Sequence, residues 1–330
     1  MEYILVLGYG WSGSSAVVDL LKEYDCTYQI PVEFRLIKDP HGLMDLRHNL
    51  VDRWDQLNVD IAIKDFLWLV HYLNQPKTLL PTRAGLGYEL SFDHDFLSST
   101  KEYLKKIAPI RYEGNWWYFD FSKSGGRLLF ERVMRKLNFR NKVNQTMYYS
   151  NISGAEFDNY SKQYIDSVFQ KQAKGKQFVI LDQAVPGQNP LAAAHFFSDF
   201  KILIVDRDPR DNYCDLINQH ALIGEEINKH KDASFFIDWH RRNHEGKDVF
   251  SKDDRVKYIS FEDLVCDYDN TVCGIEKFLG LSSDQHEKKR QYFNPDISKK
   301  NVGIWKQCPN REAIKEIEET LYDFLSSYEN

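Results

Sequence analysis

Apolar and polar positions along this chain fall into two alternating rhythms. Ile4-Leu5-Val6-Leu7, Phe178-Val179-Ile180-Leu181 and Ile202-Leu203-Ile204-Val205 are unbroken apolar runs. Short runs of this kind mark strands buried on both faces of a parallel sheet. They predict strands over about 2–7, Phe178–Asp182 and Lys201–Asp206, with a further strand at Val256–Ser260 and an extended run over Cys26–Glu33. Between them, apolar residues at three-to-four spacing predict helices over about 14–24, 154–173, 268–279 and 309–328, and a helix opening at Leu191–Phe197. Pro209 suits the first turn of a helix that follows the strand ending at Asp206. Strand alternating with helix implies an α/β fold, a doubly wound parallel sheet with helices on both faces.

Residues 36–150 break that rhythm. Helical spacing recurs at about 56–75, 95–107 and 122–137, with turn-rich, aromatic pieces between. This stretch reads as a helical, aromatic-rich insertion or cap within one domain spanning 1–330. Most of its aromatics are expected in its core. Trp116-Trp117-Tyr118 is harder to bury and is the candidate acceptor-side surface.

Composition narrows the class. The chain has 330 residues, 42% hydrophobic and 28% charged, enough for a full core. A net charge of −6 argues against a dedicated nucleic-acid binder. The five cysteines are widely spaced, with no C-x-x-C, so neither a zinc frame nor a disulfide frame is expected. No metal is assigned. The first strand starts within three residues of Met1, and no run of about eighteen apolar residues occurs, so a cytoplasmic protein without a membrane span is expected. Oligomeric state is left open.

The candidate chemistry sits where the first strand ends. Gly8-Tyr9-Gly10-Trp11-Ser12-Gly13-Ser14-Ser15 joins that strand to an amphipathic helix. Backbone N–H groups and the positive end of the helix dipole make such a loop an anion cradle. Three readings fit it. Gly8-x-Gly10-x-x-Gly13 satisfies the dinucleotide fingerprint, with Glu33 placed to take a ribose hydroxyl. Gly8 and Gly13-Ser14-Ser15 match the frame of an ATP or GTP loop except that Ser14 stands for its lysine. The third reading is a cradle for the 5′-phosphosulfate of 3′-phosphoadenosine-5′-phosphosulfate.

Residues elsewhere favour the third. Arg207-Asp208-Pro209-Arg210-Asp211 resembles the 3′-phosphate-binding signature of sulfotransferases. Phe261-Glu262-Asp263-Leu264 resembles their Tyr-Glu-Asp-Leu segment, and Lys299-Lys300-Asn301-Val302-Gly303-Ile304-Trp305-Lys306 looks like their closing loop. Trp11-Ser12-Gly13-Ser14-Ser15 is similar to their Lys/Arg-Ser-Gly-Thr-Thr loop. The four pieces occur in the family's order across nearly the whole chain.

The resemblance implies a sulfotransferase of soluble, bacterial type. It would move a sulfuryl group from 3′-phosphoadenosine-5′-phosphosulfate, without a metal, to a hydroxyl of a glycan, a lipid or sterol, or a small alcohol. Gly10, Trp11, Ser12, Gly13, Ser14, Ser15, Arg207, Asp215, Lys299 and Lys300 would then form the donor site. Glu33-Phe34-Arg35 resembles the segment that supplies the base in tyrosylprotein and glycan sulfotransferases. Glu33 would take the acceptor's proton, and Arg35 would hold the donor or orient Glu33. The sequence also departs from the pattern. Trp11 stands for a basic residue, Asp182-Gln183 for an acidic residue followed by lysine, and Asp215 for a serine. Ser12, Ser14, Ser15, Arg35 and Lys306 are expected to compensate. The alternatives are a NAD(P)-binding oxidoreductase and a catalytically silent nucleotide-binding homologue.

Overall fold

The computed structural model describes residues 1–76, 85–139, 143–220, 222–230 and 232–328. The chain divides into two compact units, one of Met1–Arg35 with Gln170–Asn330 and one of Leu36–Phe169.

The first unit is built on five parallel strands: β1 (Glu2–Gly8), β2 (Thr27–Gln29), β5 (Phe178–Asp182), β6 (Phe200–Asp206) and β7 (Val256–Ser260). Their order across the sheet is β2-β5-β1-β6-β7. Tyr3 to Leu7 are all buried, as their unbroken apolar run requires for a central strand covered on both faces. One cover includes α1 (Ser14–Leu21) and helix Tyr268–Leu279; a second apolar cluster joins helices Pro209–Asn218, Ser234–His244 and Arg311–Thr320.

The order has a functional consequence. In the dinucleotide fold the strand after the first helix lies beside the first strand. Here β5 lies between β1 and β2. The chain departs from β1 in opposite directions, toward β2 and toward β6. Ligands of such sheets bind beyond the carboxyl ends of the strands at that reversal, where the Gly8–Gly13 loop emerges.

Several predicted elements change. The Cys26–Glu33 run is a strand only over Thr27–Gln29, because Pro31 has no N–H to continue a ladder. Leu191–Phe197 forms turns and one 3₁₀ turn, Ala194–Phe196, in the short span before β6. The last helix stops at Thr320 and a 3₁₀ turn, Tyr322–Phe324, follows. Helix 154–173 ends at Phe169.

The second unit holds helices Gln56–Asn74, Phe96–Ile107, Gly125–Lys136 and Gly154–Phe169. It also contains an antiparallel pair that helical periodicity did not foretell, β3 (Ile110–Gly114) with β4 (Gln145–Tyr149). Asp60, fully buried on helix Gln56–Asn74, pins β4 by accepting the Tyr148 N–H at 2.9 Å. Phe66, Tyr88, Phe92 and Phe96 are fully buried, and Tyr103 stacks on Tyr164 at 4.6 Å. The expectation that most aromatics of 36–150 are core is corrected, since Trp54, Trp68, Tyr112, Trp117, Tyr118, Phe121, Phe130 and Phe139 are exposed.

Candidate functional site

The glycine loop is shaped by close approaches. A side chain at Gly8 would meet Ser12 Oγ at 2.4 Å, and one at Gly13 would meet the Phe261 ring at 2.4 Å. Gly10, Trp11 and Gly13 have φ of 81°, 52° and 89°, the left-handed region that favours glycine. Trp11 takes it without glycine's freedom, which is a mark of local strain. Ser12 is buried, and its Oγ accepts the Tyr9 N–H at 3.2 Å, so it closes the loop from inside. Gly13 is the N-cap of α1, and no side chain caps that end. The uncapped helix start keeps donors available for an anion.

A cavity of about 580 Å³ opens over this helix start. Trp11, Gly13, Ser14, Ser15, Ala16 and Asp19 line it from the loop side, and Arg207, Asp215 and Phe261 from the strand ends. Residues 290–294, Ile297, Ser298 and Asn301 form the far wall.

Arg207 holds these walls together. It is 6% exposed. Nη1 donates to the Trp11 carbonyl at 3.1 Å and to the Asp215 carboxylate. Nη2 donates to the Asn301 carbonyl at 2.7 Å, and the guanidinium lies 5.1 Å from the Phe261 ring centroid. The next residues continue the work. Asn212 Nδ2 donates to the Gly10 carbonyl at 2.7 Å. Asp211 accepts the N–H groups of Gly303 and Trp305 at 2.7 and 3.0 Å. Arg210 is bound to Asp208 at 2.7 Å and to Glu318 at 2.8 Å, and faces Trp305 at 4.1 Å. Beneath them Glu262 Oε1 accepts the Asp208 N–H at 3.0 Å, and burial pushes its carboxyl up to about 7.

The structure therefore brings together Trp11, Gly13, Ser14, Ser15, Arg207 and Asp215 from the sequence-derived set. Gly10 and Ser12 support the loop from behind. Lys299 and Lys300 are exposed on a 3₁₀ turn and do not line the cavity; the backbone of Asn301 in that turn does the contacting. Glu33 and Arg35 form an ion pair at 2.6 Å, each about two-fifths exposed, and neither lines the cavity. β5 lies between β1 and the strand that precedes Glu33, and the Phe34 N–H donates to the Asp182 carbonyl at the end of β5 at 2.9 Å. Gln183 Nε2 donates to Ser14 Oγ at 3.1 Å, so the glutamine where a lysine was expected touches the loop.

Sequence reading missed the far wall apart from Asn301. Arg290 lines the cavity with φ 62°. Its N–H is held at 3.0 Å by Glu23, which is fully buried. The same carboxylate accepts the N–H groups of Tyr292 and Phe293, each at 2.9 Å, and faces His286 Nε2 at 2.7 Å. A charged residue near the end of α1 with no apolar role was the only sequence signal for this support.

A second cluster lies at the end of β6, where Asp206, His240 and His244 present ligand-type atoms within 4.8 Å of one another. Asp206 Oδ2 already accepts Lys247 Nζ at 2.5 Å, and Oδ1 faces His244 Nε2 at 3.0 Å. Burial opposes the charge of Asp206, but these two partners outweigh it and hold the carboxyl below its usual range. Burial lowers His240 to about 3. An ammonium group on the carboxylate makes this donor set a poor fit for a divalent cation.

No family model and no curated protein matches the chain. Among solved structures, the chain is similar to the sulfotransferase domain of an olefin synthase from Synechococcus PCC 7002, with 15% identity, a TM-score of 0.45 and coverage of 100% of this chain and 95% of that one. It is also similar to sulfotransferase STF9 from Mycobacterium avium, with 13% identity, a TM-score of 0.42 and coverage of 99% and 76%. A third similarity is to the sulfotransferase domain from the curacin biosynthetic pathway, with 11% identity, a TM-score of 0.43 and coverage of 99% and 98%.

Proposed function

We propose that this protein is a sulfotransferase that moves a sulfuryl group from 3′-phosphoadenosine-5′-phosphosulfate to an acceptor hydroxyl. One observation supports the reading above the others. All four sequence pieces that resemble sulfotransferases meet at Arg207: it touches Trp11 of the loop, lies against Phe261 and binds Asn301 of the C-terminal segment. The strand order adds weight against the dinucleotide alternative.

The lining suits a nucleotide that carries anionic groups at both its 3′ and 5′ positions. The start of α1 and Ser14 and Ser15 would receive the 5′-phosphosulfate, and Arg207 and Arg290 would face the remaining negative charge. Charge that builds on the bridging oxygen during transfer would be met by fixed N–H dipoles of the loop, which need no reorganisation. Glu33 remains the proposed base, with Arg35 orienting it. A glycan, a lipid or sterol, or a small alcohol are the acceptor classes. A silent, nucleotide-binding homologue is a second reading, favoured by the Asp215 carboxylate on Arg207 and by Trp11 at the expected cation position.

The test uses the full chain. Melting in saturating adenosine 3′,5′-bisphosphate, NAD or ATP should show stabilisation by the bisphosphate alone, of about 2.7 kcal/mol at one hundred times Kd. Stabilisation by NAD alone would sink the proposal. Transfer of labelled sulfate from the donor into glycans, sterols and phenols then separates an active enzyme from a silent one that binds without transfer.

A further inference from the structure

Helix Gly125–Lys136 is built inside out. In a soluble helix the apolar stripe faces the core. Here the one buried residue is Glu131. It is held by Lys123 at 2.7 Å, Arg127 at 2.9 Å and Arg135 at 3.3 Å. Those three cations cover it, and the half-buried Leu128 and Met134 flank it on the same side. Leu129, Phe130, Val133 and Leu137 stay 64%, 51%, 46% and 60% exposed. At about 100° per residue these four fall within one arc of roughly 100°. Arg132 and Lys136, both exposed, flank that arc on one side. On the preceding turn Trp117 and Phe121 stack edge-on at 5.3 Å, also exposed.

The charge is equally uneven. Lys123, Arg127, Arg132, Arg135 and Lys136 stand against Glu131 alone over residues 123–139, in a chain whose net charge is −6. An exposed apolar arc of Leu, Phe and Trp, rimmed by Arg and Lys, is the pattern of a helix that lies in the plane of a bilayer. A second copy of this chain fits less well, because a symmetric contact would set basic rim against basic rim.

We propose that this helix seats the protein on an anionic lipid surface, with Leu129, Phe130, Val133 and Leu137 entering the headgroup boundary and Arg132 and Lys136 meeting lipid phosphates. The proposal is independent of the reaction assigned above. No helix among the described residues is long and apolar enough to cross a membrane, so the contact is peripheral.

The experiment is flotation of the full chain with phosphatidylcholine vesicles, alone or with about 30% phosphatidylglycerol, in low salt and in about 0.5 M salt, where charge attraction is screened. Partitioning should be at least about tenfold stronger on the anionic vesicles and should fall in high salt. Leu129→Glu with Val133→Glu should lower it at least about tenfold on anionic vesicles. Arg132→Gln with Lys136→Gln should remove the preference for anionic lipid while melting like wild type. If the acidic pair fails to fold, the neutralised pair alone decides. Absence of anionic preference in the wild type, or variants that float unchanged, would overturn the proposal. So would a concentration-dependent dimer in sedimentation velocity that Leu129→Glu dissolves, since the face would then be covered by a second copy.

Discussion

The two arginines of the cavity are opposites. Arg207, at the strand ends, is buried, already paired with Asp215 and bound to two backbone carbonyls. Arg290, on the far wall, has a side chain 43% exposed, and its nearest carboxylate, Asp296, is 3.6 Å away and 80% exposed. One cation is tied into the architecture; the other can be redirected at little cost. An arginine that closes a signature motif is therefore not, for that reason, the one with charge to offer. The two can be probed separately by changing one arginine at a time.

Arg207→Ala is the harshest way to break this contrast. It leaves Asp215 without its partner and two carbonyls, of Trp11 and Asn301, without their donor. Breaking a buried pair from one side costs about 3–5 kcal/mol, and the partial exposure of Asp215 places this case at the lower end. Chemical denaturation should show that loss, together with loss of bisphosphate binding. Arg207→Leu with Asp215→Leu sharpens it. The apolar pair should recover much of the stability. If Arg207 is chiefly a strut, binding returns with it; stability without binding would mean that Arg207 also meets the ligand's charge.

A smaller effect concerns the carboxylate under that strut. Burial raises the Glu262 carboxyl from its ordinary 4.5 to about 7. Across that window the folded protein holds the proton that the unfolded chain releases. Stability from this group is present in full below about pH 4.5 and is lost as pH rises through 7, on the order of 3 kcal/mol. Glu262→Gln should flatten that slope. Melting profiles of the two proteins from pH 5 to 8, no closer together at low pH than at high pH, would remove Glu262 as the titrating group.

How far this site could be read in the sequence follows from what holds each part. Central strands were legible because β1, β5 and β6 are covered on both faces and must be apolar without a break. The loop was legible because Gly8 and Gly13 sit where a side chain would collide with Ser12 or Phe261. The far wall was not, since it hangs on Glu23, whose partners are backbone N–H groups more than 260 residues away and leave no pattern. The β3–β4 pair was also hidden: β3 is exposed and pairs with β4 across an intervening helix. The strand order, with β5 between β1 and β2, is a property of long-range pairing that no local spacing encodes.

The mildest prediction separates charge from strain at Arg290. Its φ of 62° is costly for any residue with a side chain beyond glycine, by roughly 1 kcal/mol. Its ion pair with Asp296 adds little at such exposure. Arg290→Gly should therefore leave the fold as stable or raise it by up to about 1 kcal/mol. The same change removes the more exposed of the cavity's two arginines, which also faces the Tyr268 ring at 5.0 Å, and should weaken adenosine 3′,5′-bisphosphate about tenfold, the worth of one charge-assisted hydrogen bond. Arg290→Gln should show the affinity loss without the gain in stability, because glutamine inherits the strain. Paired calorimetry and denaturation on the two variants give four readings. Unchanged affinity in both would make Arg290 a bystander of the cavity and return the charge to Arg207. A loss of affinity beside a gain in stability would mean that the strained backbone is kept for the side chain it presents.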